Sequence, residues 1–354
     1  MPRRFLTGGK PRAIKLFWEG ERKLRITASV ERWPVAGQFV IARGAKTFVD
    51  VLIVAVGDGV HVGLGEGTAI YYEGESAESC LGQVMAVAAQ LEGLECDAAR
   101  LAAQTLLPKG AARNALDCAL WDLATLQTGR PLWKLAGCAS PPQPMVTAFT
   151  ISLGSADAME ADAVKAAAQD YGLLKLKLTG QGDRARVAAV RRGAPQGRII
   201  VDANESWGTL DIAAEAAALA ELGVEMIEQP VPRGQDALLA GVRSPLPLLA
   251  DESCHTAADI AMCAKYYDGI NIKLDKAGGL TEAMKLADGA QAAGLKIMVG
   301  CMLSTSLGIE PAFVVAARAH WVDLDGPALL AHDRERGFRF DGGMISPPPS
   351  RSNG

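Results

Sequence analysis

Several things are scarce in this chain of 354 residues, and each scarcity removes a class of function. There is no excess of positive charge: 36 lysines and arginines face 40 acidic residues, for a net charge of −4. That balance offers no basic field to nucleic acid or to an anionic membrane surface, so neither partner is expected. No apolar run approaches the length of a membrane span. The seven cysteines are odd in number and include no Cys-x-x-Cys pair. Free thiols in a reducing compartment are therefore expected, with the cytoplasm as the default location. The basic N-terminus, MPRRFLTGGKPRAIKLFWEGERK, has no adequate apolar core or small-residue cleavage site, which argues against a secretory signal. Residues 1–23 read as a loosely attached extension.

What is present is a globular composition, 49% hydrophobic and 21% charged, in a chain long enough for two domains or for a barrel with a lid. From about 24 to 73 the pattern is strand-like, in KLRITASVERWP, TFVDVLIVAV and VHVGLGE, with Gly57-Asp58-Gly59 as a hairpin turn. Gly63, Gly65 and Gly67 lack the surrounding βαβ unit of a dinucleotide fingerprint, so a tight strand end is expected there. From 75 to about 128 the period is helical, in three stretches, the last ended by Gly129 and Pro131. Residues 24–140 thus predict an α+β capping domain.

After Pro141-Pro142 eight apolar strands alternate with Ala-rich helices: VTAFTISL, LLKLKL, IIVDAN, MIEQP, LLADE, INIKL, LKIMVG and WVDLDG. Eight such units predict a (β/α)8 barrel over 141–335, with its chemistry at the C-terminal strand ends. Residues 336–354 read as a last segment returning to the capping domain.

Five of these strands end in charge. Lys177, Asp202, Glu228, Asp251 and Lys273 follow one another at intervals of about 25 residues, the length of a strand, a helix and two short loops. A carboxylate after one strand is an ordinary helix cap, and one Lys-x-Lys is an ordinary solvated edge. Five in register on successive strands are hard to assign to either. The lysines fall on strands two and six, diametrically opposed; the carboxylates share one arc, on three, four and five. Converging carboxylates need a cation, and an all-oxygen set suits a hard one, Mg²⁺ first and Mn²⁺ second. A metal between opposed lysines suits removal of a proton α to a carboxylate, stabilisation of the resulting enediolate, and reprotonation on the other face. One lysine is expected to have its pKa lowered by nearby positive charge. Asp323 and Asp325, two apart on strand eight, are expected to point the same way and to receive a substrate ammonium, which favours a dipeptide. An Asp-x-Asp-Gly turn has a structural reading too.

These motifs, Lys-x-Lys, Asp-x-Asn, Glu-Gln-Pro, Ala-Asp-Glu-Ser and NIKLDKAGG, resemble the muconate-lactonizing subgroup of the enolase superfamily. DLDGP, FVIARG, GAARNALDCALWDLA and ADESCHT resemble the dipeptide epimerases within it, over residues 28–345. The resemblance implies a capping domain over a modified barrel, one Mg²⁺, and reversible epimerisation of L-Ala-L-Glu and L-Ala-D-Glu, a murein-peptide fragment. It makes Lys177 and Lys273 the acid and base, and Asp202, Glu228 and Asp251 the metal ligands. It places Lys175 by the substrate carboxylate, Asn204 in support of Asp202, and Asp323 and Asp325 on the ammonium. Thr150 and Cys301 line the pocket, and Arg43 meets the glutamyl side chain. Related barrels often form homo-oligomers, though no interface stripe is readable here. In the loop TAIYYEGES, Tyr72 and Glu73 stand where the family carries a cation and an aromatic; a pocket-facing Glu73 would repel an anionic side chain.

Other readings stay open. A dipeptide epimerase with a different L-Ala-X preference has the same residues. A cycloisomerase, an o-succinylbenzoate synthase and an N-succinylamino acid racemase share the barrel, but their substrates offer no ammonium to Asp323 and Asp325. An acid-sugar dehydratase would want a histidine at strand seven, where the chain has GCM; of its histidines, His255 is expected to support the strand-five loop. A Schiff-base lyase would use one lysine as nucleophile and ignore chelators. A non-catalytic peptide-binding scaffold has no use for opposed lysines around a metal site.

Overall fold

The computed structural model describes residues 23–41 and 44–348. Three antiparallel strands, β1 (Arg25–Ile41), β2 (Gly44–Gly57) and β3 (Val62–Thr68), form the capping sheet. Between the last two, Asp58 Oδ1 accepts the amides of Val60 and His61 at 2.8 and 2.7 Å, which sets the turn expected there. Helices α1 (Ala77–Leu91), α2 (Cys96–Leu106) and α3 (Ala111–Thr128) follow, and Gly129 closes α3 at φ 64°. Leu52, Val54 and Val56 of β2 pack against Val84, Leu91, Leu116 and Leu120 to make the cap's core.

The glycines of β3 have a definite task. A Cβ at Gly63, Gly65 or Gly67 would lie 2.3, 2.1 or 2.3 Å from the carbonyl oxygens of Ala119, Ala115 and Ala111. Alternate strand positions meet every fourth helix residue, so α3 rests directly on the backbone of β3. This is close packing along most of the strand rather than a feature of its end.

After β4 (Met145–Val146), the eight expected strands appear: β5 (Phe149–Ile151), β6 (Leu173–Lys177), β7 (Arg198–Asp202), β8 (Val224–Glu228), β9 (Leu248–Ala250), β10 (Gly269–Ile272), β11 (Lys296–Gly300) and β12 (Trp321–Asp323). They are parallel and neighbour one another in chain order. The amide of Ala148 donates to Val322 O at 2.8 Å, bringing the last strand to the first. Alternation decides which side chains enter the barrel. Leu174, Leu176, Ile199, Val201 and Ile227 pack outward in the core under the helices, while Leu173, Ile200, Met226, Leu249 and Met298 fill the interior. The same inward face, continued two residues further, carries the charged groups.

One expectation is corrected. The final hairpin, β13 (Arg339–Asp341) and β14 (Met344–Ser346), does not return to the capping sheet. It pairs antiparallel with β4, and Thr147 N donates to Gly343 O at 2.8 Å, so it closes the barrel's N-terminal rim. Contact with the cap comes from the segment before it, where Ala331 N donates to Pro34 O at 2.9 Å.

Candidate active site

The inward positions of β6 to β12 converge on one buried cluster. Asp202 and Glu228 end β7 and β8; Asp251 and Lys273 stand one residue beyond β9 and β10. One carboxylate oxygen from each of Asp202, Glu228 and Asp251 lies within 4.8 Å of the others, and all three residues are buried. Ammonium groups surround them. Lys177 Nζ is 2.7 Å from Asp202 Oδ2, Lys273 Nζ is 2.6 Å from Asp251 Oδ2, and Lys175 Nζ is 2.6 Å from Glu228 Oε2 and 2.8 Å from Asp323 Oδ2. Asn204, at φ 45°, gives Asp202 its backbone amide at 2.8 Å and its side-chain amide at 3.1 Å. A non-glycine residue held there is strained, which is common where a side chain must be aimed.

Burial and the negative charge of Asp202 push Glu228 up to about 7. Burial would also raise Asp251, but Lys273 and Lys276 outweigh it and hold that carboxyl well below its ordinary range. For Lys273 burial pulls down, yet Asp251 and Glu228 prevail and hold it well above its ordinary value. Lys273, with these neighbours alone, is therefore not the lowered lysine expected from the sequence. Glu228 Oε2 and Asp251 Oδ1 are buried and meet only lysine ammonium groups, and three convergent hard oxygens fit a divalent cation of the Mg²⁺ type.

The cleft above this cluster is lined by Thr150, Lys175, Lys177, Asn204, Lys273, Cys301, Asp323 and Asp325, together with Phe39, Lys46, Tyr71 and Tyr72 from the cap. The structure thus brings together every expected site residue except Arg43, which lies outside the described residues. Asp323 and Asp325 both reach the cleft, but not as two residues of one strand. β12 ends at Asp323, and Asp325 opens the turn Gly326–Leu329, its Oδ2 accepting the amide of Thr150 at 2.7 Å. Glu73 does not line the cleft; it forms an ion pair with Arg233 and stands 3.8 Å from His255 Nε2.

Both halves of the chain match known families: residues 23–137 the mandelate racemase/muconate lactonizing enzyme N-terminal domain, and residues 158–351 the enolase C-terminal domain-like family. The chain belongs to the enolase superfamily. Within that superfamily it is 44% identical over 316 residues to the L-Ala-D/L-Glu epimerase of Escherichia coli K12, covering 89% of this chain and 97% of the relative. It is 46% identical over 241 residues to an N-acetyl-D-glutamate racemase of a Pseudoalteromonas species, covering 68% and 75% of the two chains. An enolase-family protein of Agrobacterium tumefaciens with homology to dipeptide epimerases, solved with sodium and L-Ala-L-Glu, superposes with a TM-score of 0.87 at 44% identity, covering 93% and 98%. Other solved dipeptide epimerases of this superfamily fold carry Mg²⁺ and a dipeptide.

Three supporting residues went unassigned in the sequence. Asn271 donates to Glu228 Oε1 at 2.6 Å; it lies two residues before Lys273, so strand alternation could have found it. Lys276 reaches Asp251 Oδ1 at 2.5 Å and the carbonyls of Cys254 and Asn271 at 2.9 and 3.0 Å, but it sits on the short helix Leu274–Ala277, where strand alternation is silent. Gln229, at φ 35°, accepts the amides of Asp251 and Ser253 at 2.8 and 3.1 Å and so ties the β8 loop to the β9 loop.

Proposed function

We propose that this protein is a Mg²⁺-dependent dipeptide epimerase that interconverts L-Ala-L-Glu and L-Ala-D-Glu by inverting the α-carbon of the C-terminal residue. The observation that carries the reading is the placement of Asp323 and Asp325 in the same cleft as Lys177, Lys273 and the carboxylate cluster. Asp202, Glu228 and Asp251 would hold the cation, with Asn204, Asn271 and Lys276 fixing their carboxylates. A bound cation there supplies positive charge to the substrate carboxylate as the α-proton leaves. Lys177 and Lys273 reach the cleft from β6 and β10, four strands apart and thus on opposite faces of a substrate seated between them. One, in its neutral form, takes the α-proton; the electron pair delocalises into the substrate carboxylate; the other, as an ammonium, returns a proton to the opposite face. Lys175 stands beside the carboxylate. Buried Asp323 and Asp325 would take the free amine several ångströms away, with Thr150 and Cys301 shaping the wall between.

A second reading, racemisation of an N-acylated glutamate, is favoured by the N-acetyl-D-glutamate racemase relative. It leaves Asp323 and Asp325 without an ammonium. We infer a cytoplasmic reaction from the seven cysteines, all free thiols in the structure; no helix of the described residues is long and apolar enough to cross a membrane.

Proton NMR in D₂O with Mg²⁺ tests both readings, using L-Ala-L-Glu, a panel of L-Ala-L-X dipeptides and N-acetyl-L-Glu. Loss of the glutamyl α-proton signal, with the second diastereomer appearing, is expected for L-Ala-L-Glu and is expected to stop with EDTA. Exchange confined to N-acetyl-L-Glu would install the second reading. Lys177→Ala and Lys273→Ala are each expected to abolish interconversion while Mg²⁺ still binds by calorimetry; a variant interconverting both epimers at near wild-type rate would refute the two-lysine scheme.

A further inference from the structure

We propose that Glu73 is a positioning residue: its carboxylate clasps the cap turn Tyr71–Glu73 to the barrel through Arg233 and His255, and so holds Tyr71 and Tyr72 in the wall of the cleft. The assignment rests on the dipeptide reading above. Glu73 acts through the turn it fastens and does not itself line the cleft.

Tyr71–Glu73 is one short turn, closed by Gly74 at φ 81°. Tyr71 and Tyr72 meet edge to face with ring centroids 5.5 Å apart, and both line the cleft. Glu75 fixes the base of the turn within the cap, accepting the amides of Ile70 at 2.8 Å and Ala111 at 3.3 Å. The other end leans on the barrel. There Glu73 Oε1 pairs with Nη1 of Arg233, in the loop after β8. Arg233 is itself anchored, because its backbone amide donates to Glu205 Oε1 at 2.7 Å. Glu205 follows Asn204, the residue that holds Asp202.

An ion pair whose side chains are 44% and 29% exposed is a weak fastening by itself. The second contact is buried. His255, 2% exposed and four residues after Asp251, turns Nε2 towards Glu73 Oε1 at 3.8 Å, and that nitrogen has no hydrogen bond. Burial and the cations Lys276, Lys109 and Arg233 push its pKa down to about 3, so the ring is neutral and this contact is no ion pair. A neutral ring with its proton on Nε2 is a donor, and a buried donor left unmet is costly. Settling of the turn by about 1 Å makes 3.8 Å an ordinary hydrogen bond. One carboxylate thus joins the cap to the loops after β8 and β9.

The test compares wild type with Glu73→Leu, Glu73→Gln, Arg233→Gln and the double variant of Glu73→Leu with Arg233→Gln, on L-Ala-L-Glu and L-Ala-L-Gln. A clasp that touches no substrate predicts that Glu73→Leu raises KM about tenfold for both dipeptides alike, with kcat moving less than about threefold and Mg²⁺ affinity by calorimetry less than about twofold. Glu73→Gln keeps an acceptor for His255 and should recover most of the loss, matching Arg233→Gln at about threefold. Adding Arg233→Gln to Glu73→Leu should change nothing further. Amide hydrogen exchange over residues 69–76 reads the turn directly: L-Ala-L-Glu with Mg²⁺ should slow it in wild type and not in Glu73→Leu. An effect confined to L-Ala-L-Glu would make Glu73 a substrate contact and overturn the assignment. An unchanged KM, or equal slowing of exchange in both proteins, overturns it too, while leaving the epimerase reading intact. A wild type that turns over no dipeptide removes both.

Discussion

Asp323 and Asp325 show how one pair of like residues is divided between scaffold and ligand. Asp325 spends one oxygen on the Thr150 amide, and burial beside Asp323 pushes its pKa up to about 7. Asp323 gives Oδ2 to Lys175 and keeps Oδ1 buried with no hydrogen bond. Leaving such an oxygen unmet costs about 1–3 kcal/mol, which a donor on the substrate would offset. Asp323→Asn should therefore raise KM for L-Ala-L-Glu about tenfold, because a neutral amide meets an ammonium poorly. The competitive Ki of N-acetyl-L-Glu, which has no ammonium, should move far less. Steady-state kinetics with both compounds decides it. Disturbance of Lys175 alone would shift the two constants together, and that result would withdraw the ammonium role.

At the scale of elements, the strands were legible because two signals coincide in them: short apolar runs, and charge at their ends. All eight barrel strands stand where the apolar runs fall, and six of them carry charge at their C-terminal ends. What escaped was set by contacts distant in sequence. Lys276 acts from a helical turn, Asp325 leaves its strand because the Thr150 amide captures it, and the final hairpin pairs with β4 about 200 residues earlier. The glycines of β3 were visible, but their reason belongs to α3. Gly65→Ala puts a methyl 2.1 Å from Ala115 O and 2.5 Å from Ala119 N, backbone atoms that cannot step aside. We expect a loss of about 2–4 kcal/mol in urea denaturation, in the range of severe overpacking. Gly82→Ala is the matched control: it lies inside α1, with nothing within 4 Å of the added methyl, and should gain about 0.5–1 kcal/mol. If both substitutions shifted stability alike, helix propensity rather than close approach would explain the glycines.

For the whole molecule, the cleft exists only while the cap stays seated, and much of the seat is polar and buried. Arg113 of α3 donates to Gly278 O at 3.1 Å and Ala277 O at 2.7 Å, while Asp275 accepts from Thr68 N and Asn114 Nδ2 at 2.9 and 2.7 Å. Asp117, fully buried on α3, accepts the Thr281 amide and hydroxyl at 2.9 and 2.6 Å and Gln104 Nε2 at 2.8 Å. Burial outweighs those bonds and pushes its pKa from 3.8 up to about 6. The native state then holds the Asp117 proton more tightly than the unfolded chain between these values. Its contribution is fully present below about pH 4 and is lost as pH rises through about 6, after which it stays level; two pKa units correspond to about 3 kcal/mol as an upper figure. Asp117→Asn keeps a neutral acceptor for Thr281, and Gln104 can turn its amide to offer Oε1, which now has no partner. Urea denaturation from pH 4 to pH 8 should show the variant gaining on wild type up to about pH 6–7 and then running parallel to it. A difference that stays constant across that range would mean that Asp117 is ionised in the native state at every pH tested, and that its three donors prevail over burial.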